Sequence, residues 1–225
     1  MSAFDSSIDD FLRRVGSPTF SPRNLDRVWK AFMAYCICVC AEAFERHGFN
    51  VTPMNSNPVF VFKCFPPGNP NNYSWFRVER GNLRYELRLS VDSQNLRFPG
   101  NALRMNLDVV VVLAGAIDGG GLVDSSRGLV TFAECKNQNA FPELIAGFEG
   151  QILELQSDRL WGRWPTDGNP CCLFLTGGGR SATFKNSAFA RGSRLIHIYQ
   201  DFLPGRPVIA EFTTNWPFPL ITTQR

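Results

Sequence analysis

Two apolar runs place the strongest constraint on how this chain can fold. The run LDVVVVLA (107–114) is apolar at nearly every position, and LVTFAECK (129–136) begins in the same way. A strand with one solvent-exposed face alternates apolar and polar residues, whereas a strand that is covered on both faces is apolar throughout. Both runs are therefore predicted to be central strands of a sheet that other elements cover on both sides.

Helical segments flank these two strands along the chain. Residues 25–47 carry apolar side chains at helical spacing and end at Gly48, a residue that favours the left-handed turn after a helix. Residues 142–156 form a second helical pattern with Pro142 in its first turn. The order helix, strands, helix, strand predicts an α/β domain of three layers, with a central mixed β-sheet flanked by helices.

The remaining sequence predicts further elements of the same domain. A short helix is expected around Ile8–Val15. The segments 75–80 and 83–91 are expected to form a hairpin with one apolar and one charged face. Further strands are predicted at 59–65, 171–178, 196–202 and 208–214, followed by an irregular C-terminus.

Composition indicates a single domain in a reducing compartment. The chain has 225 residues, of which 44% are hydrophobic, and we divide it into an N-terminal segment, residues 1–24, and one domain, residues 25–225. The seven cysteines are odd in number and have no zinc-site spacing, which predicts reduced, buried thiols in a cytoplasmic protein. No apolar stretch reaches the ~18–20 residues that span a bilayer, so no membrane association is expected.

Three charged side chains interrupt the central apolar runs. Asp108 lies at the start of the first run, and Glu134 and Lys136 share one face at the end of the second. If the two strands are antiparallel neighbours, Asp108 lies beside Glu134, and two carboxylates so close repel unless a cation lies between them. Mg²⁺ accepts one or two carboxylates and keeps water in its other positions, and a nearby lysine can orient that water. An ordinary surface ion pair is the alternative for Glu134 and Lys136 taken alone.

The order of these residues resembles the PD-(D/E)XK nuclease superfamily, which has the restriction-endonuclease-like fold. The resemblance rests on Asp108 in one strand, Glu134-Cys135-Lys136 in the next and a helix after them, and it covers roughly residues 25–175. It implies that Asp108 and Glu134 bind Mg²⁺, with Mn²⁺ as a substitute, and that the Cys135 backbone carbonyl is a third ligand. It also implies that Lys136 positions the attacking water.

The sequence departs from the superfamily pattern at several positions. Leu107 stands where many members have a proline before the first aspartate. The helix 25–47 lacks an acidic residue at the position where members often have one. Three residues remain as candidate auxiliary groups: Glu42 in that helix, Glu86 on the charged face of the hairpin and Gln151 in the second helix.

The resemblance implies a metal-dependent endonuclease that hydrolyses phosphodiester bonds in DNA, with RNA as the alternative substrate, in restriction, anti-phage defence or DNA repair. Specificity is expected from a partner protein, from oligomerisation as a homodimer or from the structure of the DNA. The alternative from another class is a nuclease fold kept as a nucleic-acid-binding or assembly module without chemistry. The net charge of +3 is compatible with a polyanionic partner. A candidate basic face, for which a merely solvated face is the alternative, consists of Arg77, Arg80, Arg84 and Arg88.

Overall fold

The chain is an α/β protein with a mixed central sheet flanked by helices, as its sequence predicts. The structure, a computed structural model, describes residues 3–17, 19–21, 25–55, 58–65, 67–94, 103–125, 127–155, 171–178 and 196–216. The helices are α1 (Ala3–Arg14), α2 (Val28–Arg46), α3 (Pro142–Leu155) and α4 (Pro207–Asn215). The strands are β1 (Asn50–Met54), β2 (Trp75–Arg80), β3 (Leu83–Gln94), β4 (Met105–Leu113), β5 (Leu122–Asp124), β6 (Leu129–Lys136), β7 (Cys171–Leu175) and β8 (Ile196–Tyr199).

The eight strands form one sheet with an antiparallel half and a parallel half. Its order is β1-β2-β3-β4-β6-β7-β8, and β5 pairs in parallel with the end of β3. Pairing is antiparallel from β1 to β6 along this order and parallel from β6 to β8. The two apolar runs of the sequence form β4 and β6, which are antiparallel neighbours at the centre of the sheet, as predicted.

Helices cover the sheet on both faces and create two hydrophobic cores. On the first face, side chains such as Ala133 pack with α1, α2 and α4. On the second face, Val110 and Phe132 pack with α3, where the rings of Phe132 and Phe148 lie 5.4 Å apart between centroids. Every residue from 31 to 41 is buried, because α2 lies between the sheet and the helices α1 and α4.

The prediction of a strand at 59–65 is wrong. The segment is largely buried and extended, but its backbone bonds go to loops instead of a ladder. The Phe60 amide donates to the Thr19 carbonyl at 3.0 Å, and the Val61 amide donates to the Ser74 hydroxyl at 2.9 Å. The apolar pattern of the segment therefore predicts its burial correctly but does not predict whether it pairs with a neighbouring strand.

The segment 208–214 is also wrong as a strand, because α4 begins at Pro207. Proline fits the first turn of a helix, and Phe212 then lies on the buried side of α4. The N-terminal helix starts at Ala3, earlier than predicted, and β5 lies in a glycine-rich connection where no strand was expected. The irregular structure predicted for 217–225 lies outside the described residues.

The hairpin of β2 and β3 is confirmed, but part of its charged face is buried. Glu86 and Arg88 are only 7% and 6% exposed, and Arg88 Nε donates to Glu86 Oε2 at 2.7 Å. The Glu86 carboxylate also accepts from the Gly115 amide at 2.9 Å. The Arg88 guanidinium donates to the Pro70 carbonyl at 3.3 Å and lies 4.2 Å from the centre of the Trp75 ring. Loops that fold over the hairpin therefore remove this ion pair from water.

The seven cysteines are free and buried, as predicted for reduced thiols. Burial raises the pKa of the Cys135 thiol, so this thiol is protonated and a poor nucleophile. Among the helices that the structure describes, none is long and apolar enough to cross a bilayer. The division of the chain after residue 24 remains a prediction, and α1, which precedes that point, packs in the same core as α2.

Candidate active site

Asp108 lies at a break in the pairing of its strand. On one side, the β3–β4 register omits the pair of Ser90 with Asp108, and Ser90 has a left-handed backbone with a φ of 52°. On the other side, the β4–β6 register ends at the pair of Val109 with Ala133, one position before Asp108 is reached. Asp108 is therefore missing from both registers, although β3–β4 pairing continues on each side of it and β4–β6 pairing begins at the next residue.

The Asp108 carboxylate replaces the missing ladder bond to β6. Its Oδ2 atom accepts a hydrogen bond of 2.9 Å from the backbone N–H of Cys135. The N–H and C=O groups of one strand residue point to the same side of the strand, so the Cys135 carbonyl is also directed towards β4. This direction suits the ligand role predicted for that carbonyl, and the role itself stays a prediction.

The Lys136 ammonium forms ion pairs with both carboxylates. Its Nζ atom lies 2.6 Å from Glu134 Oε2 and 3.6 Å from Asp108 Oδ2. The exposed fraction of the side chain falls from 37% at Lys136 to 16% at Asp108 and 4% at Glu134, so the cluster runs from the surface into the protein. The structure thus brings together the three residues whose convergence the sequence predicts, whereas their catalytic role remains a prediction.

Burial shifts the proton affinities of this cluster. Burial and then the charge of Asp108 raise the pKa of Glu134 well above its ordinary value, and the Lys136 ammonium offsets them only in part. Burial disfavours the charged form of Lys136, but the charges of Asp108 and Glu134 outweigh burial and raise the pKa of that amine. Lys136 is therefore a cation at neutral pH, and Glu134 binds a proton more readily than an exposed glutamate does.

Asp108 and Lys136 border a pocket of about 350 Å³, whereas Glu134 lies behind them and is not among its lining residues. Polar residues line one side of the pocket, including Asp108, Lys136 and Asn137. Residues of α2, Trp29 and Met33, contribute to the apolar side. A volume of this size is at the lower end of the range for small-ligand sites.

The structure places the three auxiliary candidates outside the lining of this pocket. Glu42 accepts a hydrogen bond of 3.0 Å from Arg46 in the same helix, and Glu86 is committed to its buried pair with Arg88. Gln151 lies in α3, and its Oε1 atom is buried with no hydrogen-bond partner in the part of the chain that the structure describes. Ion pairing elsewhere thus accounts for the positions of the two glutamates.

A polar network that the sequence does not predict holds the backbone beside Asp108. The Ser90 hydroxyl donates to Asn106 Oδ1 at 2.9 Å. The buried Lys63 ammonium donates to the Ser90 carbonyl at 2.5 Å and so fixes the left-handed residue. Lys63 gives a signal in the sequence, because it is the one charge in an apolar run, whereas Ser90 and Asn106 give none.

The donor atoms of the cluster fit Mg²⁺ better than zinc. Among the described residues, no group of three or more His, Cys, Asp and Glu side chains gathers at one point, as a closed zinc site requires. Mg²⁺ needs only one or two carboxylates, because water and phosphate oxygens fill its other positions. Asp108 and Glu134 are the two carboxylates that the sequence predicts for this role, and the role stays a prediction. Glu134 Oε1 is buried and has no hydrogen-bond partner within the described ranges, which leaves an oxygen for a cation.

All four arginines of the predicted basic face form ion pairs or hydrogen bonds within the protein. Arg77 and Arg84 lie 3.4 and 3.7 Å from carboxylate oxygens of Glu79. Arg88 is buried, and Arg80 donates to a backbone carbonyl at 2.9 Å. This face is therefore partly neutralised and gives weaker support for phosphate binding than the residues around the pocket.

The chain matches no protein-family model, no curated protein and no solved structure. The resemblance to the PD-(D/E)XK superfamily therefore rests on the residues and the order of elements given above. The convergence of Asp108, Glu134 and Lys136 is the basis for a functional assignment.

Proposed function

We propose that this chain is a magnesium-dependent endonuclease of the PD-(D/E)XK superfamily that hydrolyses phosphodiester bonds in DNA. The observation that carries the proposal is the convergence of Asp108, Glu134 and Lys136 where the two central strands separate beside a pocket. Metal-assisted phosphodiester hydrolysis needs carboxylates for the cation and a fixed positive charge beside the phosphate, and these three residues supply both.

The order of elements supports a restriction-endonuclease-like fold. Helix α2 precedes the antiparallel strands, and α3 connects the parallel neighbours β6 and β7. The candidate residues lie on strands between these two helices, Asp108 on β4 and the pair Glu134 and Lys136 on β6. This is the order of elements that the superfamily resemblance implies.

The three side chains and one backbone carbonyl have separate parts in the proposed reaction. Asp108, Glu134 and the Cys135 carbonyl would hold Mg²⁺, which supplies positive charge and lowers the pKa of water when it is bound. A water oxygen forms a bond to phosphorus and gives a proton to solvent, while the bond from phosphorus to the leaving oxygen breaks and that oxygen gains a proton. Lys136 is already protonated at neutral pH, so it donates hydrogen bonds to the water or to a phosphate oxygen and does not act as the base.

The test is cleavage of plasmid and linear DNA in Mg²⁺ and in EDTA, with an RNA of the same sequence in parallel. We expect cleavage in Mg²⁺ alone and its loss in Glu134→Ala and Lys136→Ala. Glu143→Ala is the matched control, because it removes an exposed carboxylate in the first turn of α3 and should leave cleavage unchanged. Cleavage that survives EDTA, or that persists in both site variants, would refute the proposal.

Mg²⁺ affinity should rise with pH. The raised pKa of Glu134 means that the protein holds a proton there which the cation must displace. At pH values below the Glu134 pKa, the dissociation constant for Mg²⁺ should fall about tenfold for each unit by which the pH rises. Above that pKa, the dissociation constant should no longer depend on pH. Calorimetric titrations in two buffers of different ionisation enthalpy measure the released proton. Glu134→Gln has no such proton, and equal release from this variant would assign the proton to another group.

A second candidate function is a nucleic-acid-binding or assembly module without chemistry. It is favoured by the part of the pocket that belongs to α2, where the described lining residues are Trp29 and Met33 and no acid is among them. Such a module should bind DNA tightly in calorimetry and show no uptake of Mg²⁺. Mg²⁺ uptake together with cleavage would decide in favour of the hydrolase.

We further propose a role in restriction, anti-phage defence or DNA repair. Cleavage of both strands of a duplex needs two active centres, so a homodimer is expected, or a partner protein that supplies specificity. Light scattering after size exclusion, with and without DNA, measures the number of copies. Nicked plasmid as the sole product of a monomer would assign single-strand cleavage.

A further inference from the structure

The pocket beside Lys136 has an aromatic side that the proposed hydrolysis does not use. Trp29, in the first turn of α2, lines the pocket and is still 38% exposed. The Phe65 ring lines the same pocket and packs edge-to-face on Tyr73, with 5.9 Å between centroids. Met33, one turn after Trp29, adds to this apolar surface. Polar and aromatic surfaces therefore meet in one pocket.

Packing among the residues that the structure describes leaves the Trp29 side chain partly exposed. The residues from 31 to 41 of the same helix are all buried, whereas Trp29 and its neighbour Val28 are exposed. Val28 does not share the pocket, since it borders a separate groove beside α1. An exposed tryptophan beside a cluster of charged groups is typical of a ligand-binding surface.

Positive charge accompanies the aromatic surface. The Lys30 ammonium lies 5.7 Å from the centre of the Trp29 ring and 5.9 Å from that of the Phe65 ring. It also donates to Asp26 at 2.6 Å, and this carboxylate holds the ammonium in place and offsets part of its charge. Together with Lys136 on the polar side, this arrangement suits a ligand that combines a flat ring with negative charge.

We propose that the aromatic side binds the base of an unpaired nucleotide whose phosphate lies at Lys136. Every base has a π face, so stacking on Trp29 needs no particular sequence. The pocket of about 350 Å³ suits one nucleotide, and a base inside a duplex reaches such a pocket only by leaving the helix. The substrate is therefore single-stranded, or has an unpaired nucleotide next to the bond that is cleaved. This inference rests on the proposed function, which places the phosphate.

Asn137 and Gln138 extend the polar side of the same pocket. The Thr176 hydroxyl donates to Asn137 Oδ1 at 2.8 Å, and this bond orients the Asn137 amide group. Amide side chains donate and accept hydrogen bonds, and both are what the edge of an unpaired base offers. The amides therefore suit contacts to the base edge, while Trp29 contacts its face.

The test measures binding of a fluorescein-labelled oligothymidine and of a blunt duplex of equal length, by anisotropy and in EDTA so that no cleavage occurs. The wild-type chain should bind the single strand more tightly than the duplex. Trp29→Ala should weaken single-strand binding about tenfold, and Trp29→Phe, which keeps a stacking ring, should retain most of the affinity. Val28→Ala is the matched control, an exposed apolar residue on the same turn, and should bind as the wild type does.

The outcomes separate this inference from the hydrolase proposal. If Trp29→Ala binds the single strand as tightly as the wild type, stacking is refuted, while Mg²⁺-dependent cleavage would leave the hydrolase proposal intact. If Trp29→Ala weakens duplex and single strand equally, the preference for an unpaired nucleotide is refuted. If binding falls as expected and no nucleic acid is cleaved, the nucleotide pocket stands and the hydrolase proposal fails. Unchanged thermal unfolding of both Trp29 variants shows that the fold is retained.

Discussion

Replacement of Lys136 by methionine should lower the rate constant of DNA cleavage about 100- to 1,000-fold. Methionine keeps an unbranched apolar stem but removes the ammonium that lies 2.6 Å from Glu134 and 3.6 Å from Asp108. That charge would be missing where negative charge builds on the phosphate, so the loss should fall on kcat. Mg²⁺ affinity should not decrease, because the ammonium contacts the same two carboxylates and so competes with the cation for them. Single-turnover cleavage and calorimetry measure the two effects separately.

Arg127→Met is the matched control for this variant. Arg127 precedes β6 at the opposite end of the strand from Lys136, its side chain is 82% exposed, and it lies 3.8 Å from Asp124. Its loss should change cleavage by less than about twofold. If Lys136→Met cleaves at the wild-type rate, the lysine takes no part in the chemistry. If it loses Mg²⁺ binding as well as cleavage, the lysine organises the carboxylates instead of stabilising the reacting phosphate.

Replacement of Arg88 by methionine should lower the free energy of unfolding by about 3–5 kcal/mol. Arg88 and Glu86 form a buried pair at 2.7 Å, and the variant leaves the Glu86 carboxylate out of water without its cation. Some packing on the Trp75 ring is lost as well, since the guanidinium lies 4.2 Å from the ring centre. Equilibrium unfolding in urea measures the difference.

The double variant Glu86→Leu/Arg88→Met separates charge burial from packing. Removal of both charges should recover most of the lost stability, because the cost of the single variant is an uncompensated charge and not the absence of an ion pair. Arg84→Met on the same strand is the control: its side chain is 70% exposed and 3.7 Å from Glu79, so its loss should cost less than about 1 kcal/mol. A double variant that is as unstable as Arg88→Met would show that packing dominates.

Periodicity in the sequence predicts the central strands and two of the helices well. It fails for segments that are buried but do not pair as strands. The apolar runs 107–114 and 129–136 become β4 and β6 because a strand covered on both faces has few alternatives. The run 59–65 is equally apolar, but tertiary contacts with two loops satisfy its backbone and no ladder forms. The segment 208–214 is too short for its apolar pattern to distinguish a strand from a helix, and Pro207 decides in favour of the helix.

Local sequence rules likewise predict one part of the candidate site and miss another part. The alternation of a strand places Glu134 and Lys136 on one face, and antiparallel pairing brings Asp108 beside them, so this part follows from local rules. The Ser90 residue, with its left-handed backbone, accepts a hydrogen bond from Lys63, and these two residues are distant in the sequence. The aromatic side of the pocket likewise depends on how α2 docks on the sheet. Such contacts depend on tertiary packing, which periodicity does not encode.

The gap in the ladders at Asp108 also determines how the sheet can move. Pairing between β4 and β6 ends at Val109, and Met105–Leu107 stay paired with β3. Contacts of the Asp108 carboxylate with the Cys135 amide and with Lys136 link this end of β4 to β6. Separation of this end of β4 from β6 breaks these side-chain contacts but no backbone pair of the β4–β6 register. A small motion at this corner would therefore widen the approach to the recessed carboxylates while β4 keeps its pairing with β3.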